Sequence, residues 1–344
     1  MRQSPLIVEV WRGPHVESRH RVHACVIALD EAGKPSVMLE AGEIGTAMLP
    51  RSAIKPFQAL PVVESGAADV YGCGDTQLAL ACASHSGEPV HRQFVDLWLT
   101  HIGLSADALL CGGHPSQHEP TAQAEAARAI RPSRLHDNCS GKHAGMLTLA
   151  RYAGDDITDY VHPDHPVQRA AQRALSDLAD EAVPRADAAD GCNAPAFAMS
   201  LHSLALAYAR LASGRGLSQS RAQAAGRIVR AMVNAPLMVA GHGRLCTLLM
   251  VNAPHLIAKT GAEGVYGAAW GARGLGLALK VDDGATRASE VALMALLHWL
   301  DAFAGARPAA LAHLARPAIR SRTGDAIGHI ALAADALPTR RPAA

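Results

Sequence analysis

Short β-rich runs fill the first fifty residues. Leu6–Trp11, His20–Leu29 and Ser36–Glu40 are separated by turn signals, of which Asp30–Pro35 is the clearest, and they read as strands. The texture then changes. From Ser52 to about Leu237 apolar residues recur at helical spacing. The pattern predicts helices over Ala53–Val63, Asp75–Ala83, Val90–His101, Thr121–Ala129, Lys142–Tyr152, Pro166–Ala179, Pro195–Leu211 and Leu217–Val233. From Leu245 strands return, as Leu248–Val251, Leu256–Thr260 and Gly274–Val281. An amphipathic helix over Thr286–Phe303 follows, then a strand pair flanking the turn at Arg322–Asp325. Pro308–Pro317 reads as a loop and Pro338–Ala344 as a frayed tail. This order predicts an α/β (α+β) protein forming one unit over residues 1–344. Residues 1–50 and 240–344 together make an α/β lobe, residues 51–239 make a helical lobe, and the working cleft lies between them. There are no repeats and no long linker.

Composition narrows the class. With 49% apolar residues in 344, the chain can bury a core, which excludes disorder as its main state. Aromatics are 4%, so that core is Ala, Leu and Val rather than rings. The 32 basic and 31 acidic residues leave a net charge of +1, with no electrostatic footprint for nucleic acid or an anionic membrane surface. Leu6–Val10 is too short for a signal peptide or anchor, and no later run suits a membrane span. A soluble, cytoplasmic protein is expected. The 7 cysteines lack any CxxC pair, which argues for free thiols with a functional subset.

Lysine usage is the sharper clue. Of the 32 basic residues only Lys34, Lys55, Lys142, Lys259 and Lys280 are lysine. A codon bias towards arginine accounts for the ratio. Under such a bias a surface lysine is easily replaced, whereas one that must lose its proton is not, because guanidinium stays charged.

Several common signatures fail. Ser140-Gly141-Lys142 has His136 where a P-loop needs its first glycine and His143 where it needs Ser or Thr. Gly274-Leu275-Gly276 lacks the third glycine of a dinucleotide fingerprint, and His118-Glu119 has Ala122 where a second zinc histidine would stand. No GxSxG elbow exists.

Other motifs survive. Ser52-Ala53-Ile54-Lys55 is an SxxK, and Pro56 places it near a helix start. Positions i and i+3 share a face, so the Lys55 amine comes within reach of the Ser52 hydroxyl. The positive end of the helix dipole disfavours the ammonium, which favours a neutral amine able to activate the serine. Ser84-His85-Ser86-Gly87-Glu88 follows a short helix, and Lys259-Thr260-Gly261 ends an apolar run. SxxK, a middle serine motif and KTG in that order are the layout of penicillin-recognising serine hydrolases. The middle motif is SHS rather than SDN, which disfavours a plain β-lactamase. Cys139 and Lys142 lie at i and i+3, with Cys192 fifty residues on. Two thiolates with a Lys or His can hold a tetrahedral zinc ion with one open position.

Four segments together resemble the rhizobial-type (class 3, asparaginase II family) L-asparaginases. They are Arg51-Ser-Ala-Ile-Lys-Pro-Phe-Gln58, Ala83-Ser-His-Ser-Gly-Glu88, Asn138-Cys-Ser-Gly-Lys-His-Ala-Gly-Met146 and Asp190-Gly-Cys-Asn-Ala-Pro195. The likeness runs from about residue 6 to residue 330. It implies a fold similar to serine β-lactamases and glutaminases, a homodimer, two Ser–Lys pairs and a nearby Zn²⁺. Carried onto this chain, the pairs are Ser52–Lys55 and Ser84–Lys259, with Ser86 as an alternative to Ser84. The metal ligands are Cys139, Lys142 and Cys192, and Arg51, His143 and Asp190 complete a substrate site. The implied reaction is hydrolysis of L-asparagine to L-aspartate and ammonia: Lys55 takes the Ser52 proton, Ser52 attacks the amide, and water releases the acyl group. Three alternatives stand beside it: another Ser–Lys amidase (glutaminase, lactamase or peptidase), a non-catalytic amino-acid-binding protein on the same fold, and a zinc hydrolase whose serines only bind.

Overall fold

The computed structural model describes residues 4–305 and 307–338. Its ten strands are β1 (Leu6–Arg12), β2 (His15–Leu29), β3 (Pro35–Ala41), β4 (Arg185–Ala189), β5 (Pro195–Phe197), β6 (Leu256–Thr260), β7 (Val265–Trp270), β8 (Leu275–Val281), β9 (Ala318–Arg320) and β10 (Ala326–Leu332). Eight form one sheet in the order β6-β7-β8-β2-β1-β10-β9, with β3 also paired to β2. Every pairing is antiparallel. The fifteen residues of β2 make this possible: β1 pairs His15–Val22, β3 pairs Ala24–Leu29, and β8 pairs Val22–Ala28. The sheet is therefore built from both chain ends.

Helices cover both faces. In β7, Gly267 faces the ring of Tyr208 on helix Leu201–Ser213, while the adjoining Tyr266 reaches Glu290 on helix Thr286–Trp299. Successive strand residues point to opposite faces, so the two helices sandwich the sheet. Helix Leu201–Ser213 lies close enough that Gly276 of β8 abuts the Ala205 carbonyl and Ala209. A methyl there would be driven into backbone, and overpacking costs about 1–3 kcal/mol. Gly276→Ala will lower the thermal midpoint by about 2–8 °C; an unchanged melting curve would contradict the close packing of helix on sheet.

Local chemistry explains where the sequence pattern and the structure diverge. The run expected as one helix over Ala53–Val63 is a 3₁₀ turn, Arg51–Ile54, followed by the short helices Lys55–Gln58 and Leu60–Glu64. Pro56 and Pro61 each lack the N–H that would continue it. Pro195–Leu211 is β5 followed by helix Leu201–Ser213, because the Ser200 hydroxyl caps the helix by accepting from Ser203 N at 3.0 Å. Leu248–Val251, expected as a strand, lies inside helix Leu245–Asn252. A short continuous apolar run cannot be told from a buried helix by periodicity. Strand β7 was not anticipated, and Pro308–Pro317, expected as a loop, contains helix Ala309–Ala315. The expected frayed tail lies outside the described residues apart from Pro338. Among the described residues no helix is long and apolar enough to cross a membrane.

Candidate active site

The turn Arg51–Ile54 is held in an unusual shape. Arg51 has φ of 52°, a left-handed conformation that is costly for a residue with a side chain. Its guanidinium bonds Asp190 Oδ1 through Nε at 3.0 Å and Nη2 at 2.6 Å. Burial would raise the Asp190 carboxyl, but the Lys142 and Arg51 charges hold it below its ordinary range. Ser52 is half-buried, and its side chain makes no hydrogen bond among the described residues.

Lys55 is 1% exposed. A buried amine needs partners, and this one reaches Ala83 O at 2.6 Å, Ser84 Oγ at 2.9 Å and Cys139 Sγ at 3.1 Å. The Lys55 amine therefore bonds Ser84 rather than Ser52, and the direct Ser52–Lys55 hydrogen bond expected from the SxxK spacing is not formed. Lys259, on β6, gives Ser84 Oγ a second bond at 2.8 Å and reaches Thr260 O at 2.8 Å. Ser86 is turned away, with its hydroxyl on Ala240 O at 2.7 Å. Of the two serines in the SHS triplet, Ser84 is the one between the lysines.

This arrangement constrains protons. A hydroxyl has one hydrogen and two lone pairs, so Ser84 can donate to one amine only if that amine is neutral. Two ammonium groups on one oxygen would also sit roughly 4–6 Å apart, where like charges disfavour each other. Burial, with Lys55 beside it, pushes Lys259 down to about 7. Lys55–Ser84–Lys259 is thus a chain able to take up and pass a proton near neutral pH.

The second cluster adjoins the first through Lys55. Cys139, Lys142 and Cys192 are buried, and Lys142 Nζ lies 3.0 Å from Cys192 Sγ. Facing Cys139 and Lys142 hold Cys192 low despite burial, while Cys192 and burial raise Cys139, whose thiol donates to Asn138 Oδ1 at 3.1 Å. Burial alone would lower Lys142, but the facing Cys192, Cys139 and Asp190 keep it above its ordinary value. His143 Nδ1 meets Tyr160 Oη at 2.7 Å, while its buried Nε2 has no hydrogen-bond partner. Among the described residues no three side chains from His, Cys, Asp and Glu gather as a metal site; a third donor here would be the Lys142 amine. Two thiols and the Lys142 amine are donors of the kind a soft tetrahedral cation takes.

The sequence motifs thus bring Arg51 to Asp190, Ser84 to Lys55 and Lys259, and Lys142 to Cys192. They did not reveal Tyr160, which supports His143, or the Ala83 carbonyl under Lys55. A lone tyrosine in the polar stretch 155–165 carries no pattern, and a backbone carbonyl has no sequence signature.

A family model described as L-asparaginase II matches residues 8–332. No curated protein matches the chain. Among solved structures, Mglu in its glutamate form is 15% identical with a TM-score of 0.47, covering 88% of this chain and 66% of that one. Over four Mglu structures the share of that chain spanned runs from 63% to 72%. A β-lactamase from Sphaerobacter thermophilus DSM 20745 is 14% identical with a TM-score of 0.38, covering 84% of this chain and 94% of that one. A β-lactamase from Burkholderia ambifaria is 15% identical with a TM-score of 0.37, covering 80% and 94%.

Proposed function

Because the chain belongs to the L-asparaginase II family, and is thereby an amidohydrolase, we propose that it is a rhizobial-type enzyme that hydrolyses L-asparagine to L-aspartate and ammonia by Ser–Lys catalysis. The observation that carries the mechanism is the Ser84 hydroxyl held between the Lys55 and Lys259 amines at 2.9 and 2.8 Å. Ser52, at the start of its turn with an uncommitted hydroxyl, attacks the side-chain carbonyl as Lys55 turns from Ser84 to take its proton. Ser84 and Lys259 carry a proton on to the departing ammonia. Water then releases aspartate by the reverse route. Backbone N–H groups near the turn stabilise the oxyanion, an effect worth about 3 kcal/mol per donor. Arg51, Asp190 and His143 line the substrate end, in a cleft between the sheet-bearing lobe and the helical lobe. A homodimer in the cytoplasm completes the proposal; the free state of all the described cysteines suits a reducing compartment.

The test is ammonia release from a panel of asparagine, glutamine, β-aspartyl peptides and a penicillin. Asparagine as the preferred substrate supports the reading. Preference for another member moves the enzyme to a sister Ser–Lys amidase, and binding of asparagine without ammonia makes it a non-catalytic protein.

The pH dependence follows from Lys259. Its amine is active when neutral, so kcat will rise with pH through about 7. A rate that is flat from pH 5 to 8 would contradict a titrating Lys259.

Zinc belongs to the same proposal, held by Cys139, Lys142 and Cys192. When bound it supplies a Lewis-acid charge that holds a polar group of the substrate. The protein purified without chelator will carry about one zinc per chain, and Cys139→Ser and Cys192→Ser will each lose it. Retention will weaken as pH falls, because every ligand must shed a proton to bind. Elemental analysis showing no zinc in the wild type, or a full equivalent in both variants, would remove the site.

A further inference from the structure

We propose that Tyr208 is a positioning residue for Ser52, pinning the Arg51–Ile54 turn to the strand that carries Lys259. The inference rests on the amidohydrolase reading above. Tyr208 lies on helix Leu201–Ser213 and is fully buried. Its hydroxyl donates to the Ala53 carbonyl at 2.6 Å, one residue beyond Ser52. Pro56 has no N–H to give this turn, so the phenol supplies a donor that the backbone lacks. Burial pushes the phenol well up, which keeps it protonated as that donor.

The ring occupies a slot made for it. Lys259 of β6 is paired with Gly267 of β7. A Cβ on Gly267 would fall within the Tyr208 ring, so the missing side chain lets Tyr208 stand beside the lysine's own register position. On its other side the ring meets Phe57 edge-on, with centroids 5.1 Å apart and planes at 73°. One rigid side chain therefore spans from the Lys259 strand pair to the Ser52 turn. The turn needs holding: Arg51 is in a left-handed conformation, and such strain persists only where surrounding structure over-determines it. The Arg51–Asp190 pair holds one end, and Tyr208 holds the carbonyl just after the nucleophile.

Tyr208→Phe removes only the hydroxyl. Tyr266→Phe is its control, since Tyr266 is equally buried but bonds Glu290 weakly, at 3.5 Å, on the far face of the sheet. Four quantities are measured for both and for wild type: kcat and KM for asparagine, the labelling rate of Ser52 by a fluorophosphonate probe, and thermal unfolding. A misplaced reacting group costs up to about 100-fold. Tyr208→Phe should lose about 10–100-fold in both kcat and labelling rate. Its KM should stay within about twofold, and its melting temperature near that of the control. A structural role alone would lower the melting temperature and leave kcat per folded molecule intact. Wild-type activity with a Tyr208→Phe kcat equal to that of Tyr266→Phe overturns the positioning role by itself. Wild-type protein that neither releases ammonia from any amide in the panel nor labels at Ser52 overturns the amidohydrolase reading and the positioning role with it.

Discussion

Lys55→Arg will release ammonia from asparagine about 10²–10⁴-fold more slowly than wild type, close to the rate of Ser52→Ala. The substitution keeps the charge and about the same length. A lysine that served only to pair with an anion or to fill space would tolerate it, whereas a base would not, because guanidinium does not deprotonate at working pH. Because the amine is buried against Ala83 O, Ser84 Oγ and Cys139 Sγ, the rate is taken per folded molecule, with thermal unfolding measured beside it. Lys55→Met, which keeps an unbranched stem of similar size without the amine, guards against misfolding as the cause and should be equally slow. The Ser52→Ala/Lys55→Arg double variant should be about as slow as either single variant, because residues that act as one unit lose their effect together. Turnover in Lys55→Arg above roughly a tenth of wild type would remove the general base.

Lys259→Met and Ser84→Ala will each lower kcat by about 10²-fold or more, with the fold intact. Lys259 meets Lys55 only through the Ser84 oxygen, so one variant breaks the chain at its middle and the other at its end. Both should also lose the rise in rate through about 7, because the Lys259 amine reaches the reaction only through the Ser84 hydroxyl. Ser86→Ala, whose hydroxyl is spent on Ala240 O, should leave kcat unchanged. A drop in melting temperature with normal kcat per folded molecule, in Lys259→Met and Ser84→Ala alike, would make the lysine–serine contact structural.

The candidate site was more legible than the elements around it. Lys55 and Lys259 stood out because lysine is scarce in an arginine-rich chain, and Ser52 because it opens an SxxK. The Cys139–Lys142 spacing was readable for a similar reason, since it places one of the few lysines within a helical turn of a thiol. Direction was not readable. The i, i+3 spacing of Ser52 and Lys55 places them on one face, but the amine turns to Ser84, because the choice of partner depends on carbonyls and hydroxyls brought from Ala83 and Ser84. Likewise Ser84 and Ser86 are equivalent in sequence and become distinct only when the backbone after Val239 takes the Ser86 hydroxyl onto Ala240. Helix and strand were confused where apolar runs are continuous, as in Leu245–Asn252, and where a proline or a serine cap cut a run in two, as at Pro56 and Ser200. Tyr208 carried no signal at all, because its partners are a carbonyl and a glycine from segments distant in sequence.

The most direct test of the account is to trap the covalent intermediate. Wild-type protein is mixed with L-asparagine, quenched in acid within milliseconds to seconds, digested and examined by mass spectrometry. The account predicts an aspartyl group esterified to Ser52 in the peptide that contains Arg51–Lys55, formed with a burst of ammonia and absent from Ser52→Ala. An aspartyl group on Ser84 instead, or steady ammonia release with no adduct in any peptide and full activity in Ser52→Ala, would contradict it.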